Sequence, residues 1–397
     1  MKLKTLVLFL VPICAFFQSV QAQINQVDNI VGENILIQSK VLQEEREIQI
    51  YLPDSYEESN KNYPVLYVLD GQRLFLHGVS LYQSFSHFKK TPEFIVVGIS
   101  NKYPDRFTHF SSGSDNFLSF IENEVITVID ENFRTSEERL LFGWEYGGGF
   151  VIKSMLDKPN LFDAYLASSA YPITNTTKRM DSLLSSNIKF NTLLYFSAST
   201  SESGLFVSAN KLDSILKRKA PVSMKWVFKK LEGVDHSSTP YSAMEDGVKQ
   251  YFKYYPELQF STFDEFREAG RLPYVIEYYK RRAEKFGFSP ELSEWTKFTI
   301  LRNAIRANKF SEFEIYANTF ISVDFIHGLR GNRPYEITDF YRKHKAYDKA
   351  IYILEILVEK DPESEKPLTE LGDVYTLLNN KKEASKYYKK AKKLSKD

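Results

Sequence analysis

A single cysteine, Cys14, is the only thiol in the 397-residue chain. It lies in an amino-terminal stretch that reads as an export signal. Lys2 and Lys4 precede the apolar run Leu6 to Phe17, and Val20-Gln21-Ala22 offers small residues for cleavage before Gln23. Val11-Pro12-Ile13 lack the small residue that lipoprotein processing wants ahead of a cysteine, so cleavage of residues 1–22, not lipidation of Cys14, is expected. A mature chain beginning at Gln23 has no thiol, which excludes disulfides, thiolate metal sites and cysteine nucleophiles. Its chemistry must rest on oxygen and imidazole groups in a periplasmic or secreted setting.

An excess of either charge is also missing. Lysine and arginine number 52 against 51 aspartates and glutamates. No global field would gather nucleic acid or an anionic membrane surface, so a small or neutral ligand is the better expectation. No apolar run reaches the roughly 20 residues that span a bilayer, which argues against a membrane span. His77, His87, His109, His327 and His344 show no His-Glu-x-x-His spacing, so no metal is expected. Gly147-Gly148-Gly149 lack a following Lys-Ser/Thr and any Gly-x-Gly-x-x-Gly arrangement, and no cofactor is expected either.

What is abundant is apolar material, 43% of residues with 15% aromatic, enough to fill two or three sizeable cores. From about residue 30 to 255, short β-rich runs alternate with helical patterns, the signature of an α/β fold with a mostly parallel sheet covered on both faces. Strands are expected at Val65 to Leu69, Phe94 to Gly98, Arg139 to Phe142, Ala164 to Ala167 and Thr192 to Phe196, with an early antiparallel strand at Glu47 to Leu52. Phe117, Phe120, Ile121, Glu124, Val125, Val128 and Ile129 have helical spacing, which predicts a helix from Asp115 to about Glu131.

After Pro256 glycine thins out and helical spacing continues to the end. The reading is a 1–22 signal, a 23–257 α/β domain and a 258–397 all-α domain. Leu368, Leu371, Gly372, Tyr375, Ala384, Tyr388 and Ala391 fit a tetratricopeptide-like repeat, clearest over 365–397, with a degenerate copy 34 residues earlier through Ala350 and Leu354. The lysines from Lys381 to Lys396 fit the solvated face of a terminal repeat. Such repeats point to a protein partner.

The most informative stretch is Leu140-Leu141-Phe142-Gly143-Trp144-Glu145-Tyr146-Gly147-Gly148-Gly149-Phe150. It has the layout of a nucleophile elbow, where glycines permit a strained strand-to-helix turn that presents one side chain. The usual pattern is Gly-x-Ser-x-Gly, and Glu145 fills the serine slot. Trp144 and Tyr146, beside the tip, are readable equally as pocket lining or as core.

With Tyr63 to Gly71, Phe94 to Ile99, Leu161 to Tyr165 and Val234-Asp235-His236-Ser237-Ser238-Thr239-Pro240 in the same order, residues 40 to 255 resemble the esterase superfamily of the α/β-hydrolase fold. That superfamily includes esterase D and the periplasmic siderophore esterases. The resemblance implies an esterase-like pocket for a small ester or acyl ligand, with His236 as the catalytic histidine and Glu202 as its acid by position, Asp235 ranking second. It also implies an oxyanion hole from the backbone amides of Tyr146 and of Gln72 or Gly71, which do not depend on side-chain identity.

Glu145 changes that chemistry. A carboxylate has no proton for His236 to remove, and the two are expected to form an ion pair instead. Its charge would also oppose a developing oxyanion: at about 4 Å and an effective dielectric near 20 the repulsion is roughly 4 kcal/mol, about a thousandfold in rate. Ser112, Ser168, Ser169 and Ser201 lack flanking glycines after a strand and read as ordinary loop or strand-end hydroxyls. The expectation is an exported esterase-like protein that binds a ligand or protein without serine-esterase turnover. The alternative is a hydrolase of esters or related acyl or halide substrates using Glu145 and His236 in non-standard roles, as dehalogenases of this fold use aspartate at the elbow. A third reading leaves the helical repeats as the working surface and the hydrolase domain as a passenger.

Overall fold

The computed structural model describes residues 30–172, 174–185 and 190–395. Residues 1–22, read above as an export signal, lie outside them, and no described helix is long and apolar enough to cross a membrane.

Eight strands form one sheet: β1 (Glu33–Ser39), β2 (Glu44–Tyr51), β3 (Tyr63–Leu69), β4 (Ile95–Ile99), β5 (Thr135–Trp144), β6 (Ala164–Ser168), β7 (Leu193–Ser199) and β8 (Lys225–Leu231). Their order is β1-β2-β4-β3-β5-β6-β7-β8. The pairings of β2 with β1 and β4 are antiparallel, and the rest are parallel. The parallel strands are near-continuous apolar runs because both faces are covered. Along β3, Val65, Tyr67 and Leu69 enter one hydrophobic cluster while Leu66 and Val68 enter the other, as the two-residue repeat of a strand requires. The helices Gly71–His87 and Thr239–Tyr251 contribute to the second cluster. Tyr146–Asp157 and Ser203–Lys219 contribute to the first.

The helix expected from Asp115 to Glu131 is present over residues 114–132, but a π-helical turn, Ile121–Val125, interrupts it. The extra residue in that turn rotates the apolar face, so Ile126 is buried and Val128 only half so. Glu124, counted in the helical pattern, instead holds the β1–β2 turn by accepting from the Lys40 and Val41 amides at 2.9 and 3.1 Å. Strand β5 runs longer than its expected core of Arg139 to Phe142. Neither β1 nor β8 was marked by its sequence.

From Phe263 onward the chain is helical and packs around its own cluster, which includes Phe266, Tyr279, Leu301, Phe313 and Leu354. Tyr278 ties this region to the end of the preceding helix by donating to the carbonyls of Lys253 and Pro256 at 2.8 and 2.9 Å. Lys285 reaches Glu138 on β5 at 3.3 Å, and its burial holds the ammonium below its usual pKa despite the pull of Glu138. The chain closes on a helical hairpin, Glu365–Leu377 and Lys381–Leu394. A side chain at Gly372 would meet the Tyr388 ring at 2.5 Å.

Candidate active site

Strand β5 ends at Trp144, and the next residue, Glu145, adopts φ 59° and ψ −117° before the helix Tyr146–Asp157 begins. That backbone is strained for any residue with a side chain and persists only because its surroundings hold it. The Glu145 amide donates to the Ser168 carbonyl at 3.0 Å, and its carbonyl accepts from the amides of Gly149 and Tyr171, both at 2.9 Å. The turn is also too tight for side chains beside it. A Cβ at Gly143 would lie 2.4 Å from the Gly147 carbonyl oxygen, and one at Gly149 would lie 2.3 Å from that of Tyr171.

The Glu145 carboxylate does not cap its own helix. Its Oε2 meets Arg106 Nη1 at 3.2 Å. Arg106 in turn makes a two-pronged contact with Asp70, donating from Nε to Oδ1 at 2.8 Å and from Nη2 to Oδ2 at 2.9 Å. Side-chain exposure falls along this triad, 29% for Glu145, 13% for Arg106 and none for Asp70. Burial pushes the Asp70 carboxyl above its ordinary pKa, and the two Arg106 bonds oppose that rise. For Arg106, burial works against the charge, but Asp70 and Glu145 outweigh it and raise its pKa, so the guanidinium stays charged.

On the other side of the site, His236 Nδ1 donates to Glu202 Oε1. A carboxylate can only accept, so the imidazole carries a proton on Nδ1, and in the neutral ring Nε2 is then the acceptor nitrogen. The second Glu202 oxygen accepts from the Ser199 amide at 2.7 Å and from Ser169 Oγ at 2.9 Å. Thr239 Oγ1 donates to the His236 carbonyl at 2.9 Å and accepts from Trp144 Nε1 at 3.2 Å. The Trp144 ring packs 5.0 Å from the His236 ring. His236 and Glu202 line an open groove of about 650 Å³ with Tyr171, Ser201, Ser203 and Leu205.

Glu202 is therefore the carboxylate on His236, while Asp235 turns its side chain to Ser237 Oγ and the Ser238 amide, both at 2.8 Å. Gly71 and Gln72 begin the helix Gly71–His87, and Tyr146 begins the helix after the elbow. Amides of a first helical turn lack acceptors within their own helix. The Gln72 side chain is itself engaged, donating to the Asn101 carbonyl at 3.0 Å and accepting from its amide at 2.8 Å.

The expected ion pair between Glu145 and His236 is not what forms. Glu145 goes to Arg106, which Asp70 holds in place, while the His236 proton is committed to Glu202. Arg106 was not singled out from the sequence, because a lone arginine between Pro104 and Phe110 carries no motif. Ser169 was set aside as an ordinary hydroxyl, yet at φ 45° it is fully buried against Glu202. Only its place directly after β6 marked it. Among the described residues no group of three metal-ligating side chains is gathered.

Residues 39–230 match the family described as Putative esterase. Over 133 residues the chain is 31% identical to the uncharacterized protein YbbA of Bacillus subtilis, covering 30% of this chain and 53% of that protein. Over 145 residues it is 28% identical to the siderophore triacetylfusarinine C esterase of Aspergillus fumigatus, covering 31% and 50%. The chain thus spans about half the length of these curated relatives. Among solved structures, an IroE-like serine hydrolase from Shewanella oneidensis superimposes with a TM-score of 0.55 at 22% identity, covering 73% of this chain and all of that one. An uncharacterised protein from Capnocytophaga ochracea gives 0.52 at 16% identity over 90% of this chain and 93% of that one, so the likeness extends into the helical region. At such identities these likenesses show the fold. They show an α/β-hydrolase-like fold, within which residues 39–230 match the esterase family model and siderophore esterases stand among the proteins the chain is similar to.

Proposed function

We propose that this domain binds a small ester- or acyl-like ligand without serine-esterase turnover, as part of an exported protein. The observation that carries the reading is the Asp70–Arg106–Glu145 triad at the elbow. A serine there would offer a proton to His236 and become a nucleophile. Glu145 has no such proton at neutral pH, and its negative charge is fastened to a guanidinium. Attack by a carboxylate on an ester would yield a mixed anhydride, more reactive than the ester it came from. The groove, the first-turn amides and the His236–Glu202 pair would then serve recognition.

The intact His236–Glu202 pair favours one second reading, hydrolysis in which His236 Nε2 activates a water and Glu145 takes a non-standard part. Purified protein assayed against short-chain nitrophenyl esters and acylated sugars separates the two. The binding reading expects no turnover above that of His236→Ala. Wild-type turnover that disappears in His236→Ala overturns it in favour of water activation.

The helical region, taken as residues 258–397 after an α/β domain of 23–257, is the proposed contact surface for a protein partner. Its last hairpin supports a tetratricopeptide-like repeat: Leu368, Leu371, Ala384 and Ala391 are buried, and Gly372 leaves room for the Tyr388 ring. Export rests on the amino-terminal pattern of Lys2 to Ala22.

A further inference from the structure

We infer that the ligand recognised at the elbow carries a small ammonium group. This rests on the reading that Glu145 serves binding. Two carboxylates share one guanidinium, and Asp70 takes two of its N–H groups from a position with no solvent exposure. Glu145 holds the third contact, at 3.2 Å and through Oε2, and is the most exposed member of the triad. Its Oε1 has no hydrogen-bond partner among the described residues. The triad therefore carries a net negative charge whose accessible end is the elbow carboxylate.

Exposed aromatic rings flank the elbow through Tyr146, its neighbour in the chain. Phe107 follows Arg106 in the chain, and its ring meets Tyr146 edge-to-face at 5.2 Å. Tyr146 in turn meets Tyr171 edge-to-face at 5.2 Å. Phe107 and Tyr171 are each about half exposed, and Tyr103 more so. Exposed rings joined to the elbow through Tyr146 would attract a desolvated cation to their faces, in addition to the pull of the carboxylate. Two features oppose the cation. Arg73 lies over the Trp144 ring at 5.4 Å, and the helix starting at Tyr146 places a partial positive charge near the tip. Arg73 is exposed, although its charge reaches Asp70, and Glu145 makes no bond to the helix amides.

Choline and its uncharged isostere 3,3-dimethylbutan-1-ol test the inference by calorimetric titration of the full chain at low ionic strength. Wild type is expected to prefer choline by about tenfold. Glu145→Gln, which keeps the shape and removes the charge, should abolish the preference, and Tyr171→Leu should reduce it. Equal affinity for the two probes, binding of neither, or a preference that survives Glu145→Gln overturns the inference. Ester turnover is measured separately, which keeps the two failures apart. A protein that hydrolyses esters but prefers choline loses only the binding reading. An inactive protein indifferent to charge loses only this inference.

Discussion

The turn that presents Glu145 and the loop that presents His236 follow the carboxyl ends of β5 and β8, two strands of the same parallel set, yet they depart from an esterase site to different degrees. At the histidine side, His236 donates to Glu202, which the Ser169 hydroxyl and Ser199 amide hold from its other oxygen. At the elbow the backbone is a tight strand-to-helix turn with a positive φ and close glycines, and its side chain belongs to a different electrostatic system. The difference separates two properties that usually travel together. Geometry at the tip is set by backbone contacts such as Gly143 against Gly147. Chemistry is set by one side chain and the charges it meets.

If the triad is as interdependent as its geometry implies, Arg106→Met should have the largest effect on stability. It leaves Asp70 buried and unpaired, and truncating one partner of a buried ion pair costs about 3–5 kcal/mol. The urea midpoint should fall accordingly, and a double variant, Asp70→Asn with Arg106→Met, should recover much of the loss. A midpoint unchanged by Arg106→Met would mean that the elbow's charge system is not structural at all.

A smaller loss is expected from Gly143→Ala, roughly 1–3 kcal/mol, since its Cβ would be driven against the Gly147 carbonyl. The denaturation midpoint checks this, and an unaffected variant would show the turn to be looser than its contacts suggest. Ser169→Ala should cost least, about 1 kcal/mol, through the lost bond to Glu202. It should also loosen His236, visible as a shift or broadening of its Nδ1 proton resonance. An unchanged resonance would show that the Ser199 amide alone positions Glu202.

The same division explains what was legible in the sequence. The central parallel strands announce themselves because both faces are buried, and Val65 to Leu69 has almost no polar residue to confuse the pattern. The edge strand β8 does not, because Lys225, Lys229 and Lys230 face solvent and break the apolar run. The π turn at Ile121–Val125 is invisible to a helical period, since one extra residue shifts the face without altering composition. Within the site, Glu145 and His236 stand in motifs tied to backbone turns, and Glu202 follows a strand end. Arg106 and Ser169 act through contacts 39 and 33 residues away in the chain, and no local pattern encodes such partners.

The central claim is that the site differs from a serine esterase in the chemistry of its tip and not in the geometry around it. Initial rates of nitrophenyl acetate hydrolysis by wild type, Glu145→Ser and the double variant Glu145→Ser with His236→Ala test it directly. The account predicts that Glu145→Ser alone turns over, about a hundredfold or more above the other two, because general-base assistance by His236 contributes on that scale. A Glu145→Ser protein that folds normally but remains as inactive as wild type, or a wild type already as active as Glu145→Ser, would contradict it.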